Sequence, residues 1–209
     1  MKKIYLSLLS LMLGSPALMA QIYVTEAGAG LKNGTSWANA YDNTQLQQAI
    51  NEAESATTKQ VWVAKGIYKP TERLSEEIYA ARTDDGTIAP TAANDSDKSF
   101  ILKTGVAIYG GFAGTEATIA ERTSITTLNE TILSGDLNNS NTANTDDAYH
   151  VVAARDDADG SVLDGFTIQH GYGNDGNYAQ ITGDRIRRSI GAAIAVFTAK
   201  TVTFNNLVT

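Results

Sequence analysis

Beyond its first twenty residues, this chain carries only short apolar runs, and they return at wide, uneven intervals. Phe100-Ile101-Leu102 and Val106-Ala107-Ile108-Tyr109 flank Lys103-Thr104-Gly105, and Gly110-Gly111 ends the second run. β-Branched and aromatic residues bounded by turn formers predict strand, turn, strand. Two series of such runs interleave. One comprises Val106-Ala107-Ile108, Thr131-Ile132-Leu133, Val162-Leu163 and Val202-Thr203-Phe204, whose members open 25, 31 and 40 residues apart. The other comprises Phe100-Ile101-Leu102, His150-Val151-Val152 and Ala192-Ala193-Ile194. The longer steps contain polar insertions, Asn138 to Asp147 and Gly171 to Ser189. Strands repeating at this length without helices between them predict an all-β solenoid, each coil burying its apolar face against the next.

The chain opens differently. Lys2 and Lys3 precede an apolar stretch, Ile4 to Leu13, too short to span a bilayer. Ser15 to Ala20 supplies small residues for cleavage, after Ala20 or after Ala17. Residues 1–20 are therefore expected to be a signal peptide and residues 21–209 an exported domain, destined for secretion or the cell surface. Losing the two lysines takes the net charge from −7 to −9. An acidic chain without a basic stripe lacks the clustered cations that phosphate neutralisation needs, so no nucleic-acid partner is expected. No stretch of the mature chain is long and apolar enough to cross a membrane. With no cysteine, neither disulfides nor a lipidated thiol is available.

Ile22-Tyr23-Val24 predicts the first strand, and Trp37 is expected to pin the loop that follows to the core. Leu46, Ala49, Ile50 and Ala53 recur at helical spacing and predict an amphipathic helix ending near Ser55. Asp42 or Asn43 would cap it, with Thr44 and Gln47 resembling a capping box. Such a helix would cover the open end of a sheet. Val61 to Tyr68 predicts another strand region. Thr71 to Lys98 is a long polar insertion, with a helical turn near Leu74 to Ala81, and is the expected variable loop.

Several motifs stand in order: Ala38-Asn39-Ala40-Tyr41, Val61-Trp62-Val63-Ala64-Lys65-Gly66-Ile67-Tyr68-Lys69-Pro70-Thr71, Ile108-Tyr109-Gly110-Gly111-Phe112-Ala113-Gly114-Thr115-Glu116, Thr131-Ile132-Leu133-Ser134-Gly135-Asp136 and Leu163-Asp164-Gly165-Phe166-Thr167-Ile168. Together they resemble the N-terminal part of right-handed parallel β-helix proteins of the pectate-lyase-like superfamily. The group they look closest to is the large secreted and outer-membrane surface proteins of Gram-negative bacteria. The resemblance runs from Ile22 to Phe204 and implies a right-handed, three-sided parallel β-helix (pectin-lyase fold) with an N-terminal cap helix. Relatives of that kind run through more coils. This chain stops at Thr209 just after a strand, so a C-terminally truncated solenoid is expected.

In that superfamily, lyases cleave acidic sugars with calcium, acidic ligands and a base. Calcium needs several converging oxygens, and Asp157, Asp159 and Asp175 are the candidates here, in fragments of loop-like motifs. No cofactor other than calcium is expected. Arg185, Arg187 and Arg188 form the only basic cluster of the mature chain, suited to a carboxylate or sulfate on a glycan. Tyr172 and Tyr178, in the same Gly/Asn-rich region, are the candidate sugar-stacking residues, ahead of Tyr109 and Phe112. His150 and His170 lack partners at metal or triad spacing. Asp136 and Asp164 read as turn formers. No residue set defines a catalytic centre. The expectation is a non-catalytic, adhesin-like module presenting loops to extracellular polysaccharides or surface proteins. The alternative is a calcium-dependent lyase or hydrolase of acidic glycans.

Overall fold

The computed structural model describes residues 21–75, 77–79, 90–123, 127–181 and 184–209. The expected signal peptide lies outside them. Ile22–Val24, Gln60–Ala64, Ala107–Phe112, Ser161–Asp164 and Val202–Asn205 form a five-stranded parallel sheet in that order. Side chains on a strand alternate between faces, so the pairing register sorts them into ladders. Ile22, Val61, Ile108, Leu163 and Phe204 stand opposite one another on the core side. Tyr23, Trp62, Tyr109, Asp164 and Asn205 form the ladder on the other face. A second parallel sheet joins Gly66–Tyr68, Thr131–Ser134 and Thr167–Gln169, burying Tyr68, Leu133 and Ile168 in the same core. A third joins Phe100–Ile101, Val152–Ala154 and Ile194–Val196.

The all-β right-handed parallel β-helix expected above is not what these residues form. Their strands fall into four separate small sheets, one of them antiparallel, with an α-helix and short 3-10 segments packed among them. The arrangement is mixed α/β. The physical reason lies in the two insertions, which are not passive turns. Glu77–Tyr79 and Pro90–Ala92 from the first pair with Tyr178–Ile181 and Asp184–Arg187 from the second, making the four-stranded antiparallel sheet. Glu77–Tyr79 is thus strand where a helical turn was expected. This sheet brings Ala179 and Ile186 into a second apolar cluster with Leu74, Ile101 and Ala153. The Phe100–Ile101 and Val152–Ala154 strands of the third parallel sheet are therefore buried on both faces, by the main core and by this cluster. The repeat also mixed two sheets: Thr131–Ser134 pairs with Gly66–Tyr68 and Thr167–Gln169, not with the Ala107–Phe112 strand.

The helix spans Leu46–Ala53 and follows a 3-10 turn, Asn43–Gln45. Asp42 caps that turn, accepting from the Thr44 N–H at 3.0 Å, and the capping box pairs Asp42 with Gln45 rather than Thr44 with Gln47. Gln47 instead turns inward and is 1% exposed. Its side-chain Nε2 donates to the Ile101 carbonyl at 3.0 Å, and its Oε1 accepts from the Ile101 N–H at 2.8 Å. One amide thus completes the backbone pairing of an edge strand. Gln47→Ala would strand two buried backbone groups, at about 1–3 kcal/mol for each. Chemical denaturation should show a loss of about 2–6 kcal/mol, against little change for the outward-facing Gln48→Ala.

On the outer face of the five-stranded sheet, Trp37 packs edge-on against Tyr23 at 4.7 Å and donates from its indole N–H to the Glu116 carbonyl at 2.8 Å. Residues 113–122 fold over the same face. The Glu116 carboxylate accepts from the N–H groups of Ala113, Gly114 and Thr115. Arg122 bonds Asp164 at 3.1 Å while lying 5.2 Å from the Tyr109 ring centre. Trp37 anchors the loop to this outer cluster, not to the main core.

Candidate functional site

The basic cluster does not act as one surface. Arg188 is 4% exposed and lies between two carboxylates. Its Nε and Nη2 donate to the two Asp97 oxygens at 2.8 and 2.6 Å, and Nη1 donates to Asp175 Oδ2 at 2.7 Å. The guanidinium also sits 4.7 Å from the Tyr149 ring centre. Arg188 is thus enclosed, with its guanidinium engaged by both carboxylates. Arg187 is exposed and lies 6.0 Å from the ring centre of Tyr178, its partner in register. Arg185 stands opposite Gln180 in the same strand pair. Tyr172 is half-buried, its N–H held by the Ala148 carbonyl at 2.8 Å. Phe112 is buried and Tyr109 lies beneath Arg122, so the four aromatic candidates share no stacking surface.

Each carboxylate of the calcium candidates is held by a donor. Asp157 pairs with Arg155 and Lys103. Asp159 accepts from the Lys200 N–H. Asp175 pairs with Arg188 and accepts from the Asn177 N–H. Among the described residues no group of three or more His, Asp or Glu side chains has a metal-holding arrangement.

What the structure does bring together is a cleft of about 390 Å³ over the outer face of the second sheet. That volume is at the small end of the range for ligand sites. Its floor comes from strand ends and the residues just after them: Ile67, Lys69, Ser134, Asp136, Gln169 and His170. One wall is the start of the helical segment, with Asn43 and Thr44, beside Glu26 and Thr71. The other is the Asn138–Asp147 insertion, through Asn139 and Asn141. Both of these asparagines have left-handed backbones, φ 60° and 55°, a conformation that asparagine tolerates better than most residues.

Asp136 shapes that wall. It is 3% exposed, and its two oxygens accept from the N–H groups of Ser140 at 2.9 Å and Asn141 at 3.0 Å. Burial opposes its ionisation, yet these N–H groups, Lys69 and His170 hold its pKa below the usual carboxylate value. Lys69 Nζ donates to Asn139 Oδ1 at 2.8 Å and lies 4.0 Å from Asp136. The Glu26 carboxylate accepts from the Ile67 N–H at 3.1 Å. By contrast, the side-chain amides of Asn43, Asn141 and Gln169 have no hydrogen-bond partner among the described residues. Ile67, 42% exposed, adds an apolar spot beside them.

Behind the cleft, Asp147 is fully buried, and burial pushes its pKa up. His150, also buried and with its pKa pushed down by burial, contacts the Gly191 carbonyl and is not part of the cleft lining. Asp136 holds a turn, as its Gly neighbour suggested, whereas Asp164 ends a strand and bonds Arg122 and Asn206, each 42 residues away. The cleft itself draws on five separated segments. The asparagine-rich insertion was its one sequence signal; nothing local marks Glu26, Lys69 or Gln169 as neighbours.

Comparisons with protein-family models, with curated proteins and with solved structures each returned no match. The family resemblance set out above therefore rests on its motifs alone. Among the described residues no helix is long and apolar enough to cross a membrane.

Proposed function

We propose that this chain is an exported, non-catalytic binding module that takes a carbohydrate in the cleft above the Gly66–Tyr68 and Thr131–Ser134 strands. One observation carries the reading: three side-chain amides that no described residue satisfies converge there on an exposed apolar spot. A planar amide offers a donor and an acceptor side by side, which matches the paired hydroxyls of a sugar. An aliphatic side chain accommodates the C–H face of the ring. A few fixed polar groups around apolar surface is the usual composition of a small-ligand site.

In the cleft the lyase alternative would have to draw on Lys69 beside Asp136 and Glu26, and that ammonium is already engaged by Asn139 and Asp136. A lyase needs a base facing a carboxylate cluster across an open groove. Arg188 does face two carboxylates, but as a closed, buried ion pair, and Arg187 faces a tyrosine.

The test is a glycan array followed by calorimetry on the positive ligands. Gln169→Ala and Asn141→Ala should each weaken binding by about tenfold, the loss of one or two hydrogen bonds, with unchanged melting temperature. Release of unsaturated uronate from an acidic polysaccharide, followed by its ultraviolet absorbance, would overturn the non-catalytic reading.

A further inference from the structure

The charge of the cleft narrows what it can hold. Two carboxylates, Glu26 and Asp136, line it against one ammonium, Lys69. That ammonium already serves the protein. It donates to Asn139 and stands beside Asp136, so it holds the insertion wall against the floor. An incoming anion would have to draw Lys69 away from both partners and then sit beside the two carboxylates. Like charges brought together in a partly enclosed site are strongly disfavoured. His170 is the remaining titratable group of the lining. The wider field has the same sign, because the chain as a whole carries −7, and a net negative protein lowers the local concentration of anions.

Hydroxyl groups meet the opposite situation. A carboxylate is the strongest acceptor a neutral sugar can find, and charge-assisted hydrogen bonds exceed neutral ones. Both Asp136 oxygens already accept one N–H each, but a carboxylate oxygen has two lone pairs. Glu26 uses Oε1 for the Ile67 N–H and sits on the exposed rim. Together with the unsatisfied amides of Asn43, Asn141 and Gln169, these groups suit a ligand rich in donors.

We infer that the cleft takes a neutral glycan, one without uronate or sulfate groups, and that Glu26 and Asp136 are the residues that reject acidic sugars. This rests on the carbohydrate-binding reading given above. It turns away from acidic polysaccharides, the substrate class that the lyase alternative requires.

The experiment is calorimetry of the full-length protein with matched pairs of oligosaccharides, equal in length and linkage, one neutral and one bearing uronates. The pairs are chosen from the hits of an array that carries both classes. The neutral member should bind at least about tenfold tighter at low salt, and the gap should shrink as ionic strength rises. Glu26→Gln keeps the oxygen that accepts from Ile67 and removes only the charge. It should narrow the gap by strengthening the acidic ligand. Asp136→Asn should do the same, but it also loosens the insertion wall, so Glu26→Gln is the deciding variant. Equal or tighter binding of the acidic member overturns the inference and leaves the cleft as a carbohydrate site. Binding of neither class, or binding that Gln169→Ala and Asn141→Ala do not alter, overturns the cleft reading and the inference with it.

Discussion

Arg188→Ala should destabilise the fold by about 3–5 kcal/mol, because it leaves the buried Asp97 carboxylate without its cation. For a chain of this size that corresponds to a fall in melting temperature of about 10 °C. The loss is larger than the net worth of the ion pair. Desolvation has already been met for both charges, and removing one partner exposes the full cost for the other. Arg188 also joins three parts of the chain. It directly follows the strand Asp184–Arg187 of the second insertion, Asp175 belongs to the loop before that strand, and Asp97 closes the 3-10 turn at the end of the first insertion. Thermal or urea unfolding checks the figure. Arg188→Lys keeps the charge but not the two-pronged geometry, and should fall between wild type and alanine. Arg187→Ala is the control, since its side chain is exposed and lies against the Tyr178 ring. It should change stability by no more than about 0.5 kcal/mol. A loss below about 1 kcal/mol for Arg188→Ala would sink the account.

The contrast between these two neighbours shows what the sequence could and could not convey. A run such as Arg185-Ile186-Arg187-Arg188 looks like a solvated basic patch. Strand alternation sends Arg187 and Ile186 to opposite faces, and the turn that follows carries Arg188 back inside. Its partners are 13 and 91 residues away, so no local pattern reports them. The core ladder was legible for the opposite reason. Val61, Ile108 and Leu163 each sit in a run whose own alternation declares which side faces inward. The helix was legible from its 3.6-residue spacing, yet the inward role of Gln47 was not, since it answers to an edge strand 54 residues on. The antiparallel sheet was not legible because its strands are short and meet across about a hundred residues, Tyr79 against Tyr178. Reading the insertions as inert turns made the remaining strands look like one continuous repeat. The cleft combines both cases, an insertion that announces itself by composition and a floor assembled only by pairing.

Gly135→Ala should be strongly destabilising beside that cleft. A Cβ built on Gly135 would stand 2.3 Å from the His170 carbonyl oxygen and 2.9 Å from its carbon. Neither atom can swing aside, because both are backbone. The Gly135 N–H donates to Gln169 at 2.9 Å and its carbonyl accepts from the Ala148 N–H at 2.9 Å, so the residue is tied on both sides. Relief requires separating the Thr131–Ser134 and Thr167–Gln169 strand ends, which are paired through Ser134 and Gln169. Overpacking of this kind costs about 3 kcal/mol or more when the obstacle is rigid. The same movement would shift Gln169 and Asp136, so the proposed ligand affinity should fall together with stability. Gly176→Ala separates this effect from a general dislike of losing glycine. Nothing lies within 4 Å of its added methyl group. Where an alanine fits without strain it restricts the unfolded chain, so Gly176→Ala should be neutral or stabilising by up to about 1 kcal/mol. Urea denaturation of both variants, with calorimetry on the folded fraction, gives the comparison. Equal stability for the two would mean that the close approach at Gly135 relaxes freely, and the floor of the cleft would then lose its claim to rigidity.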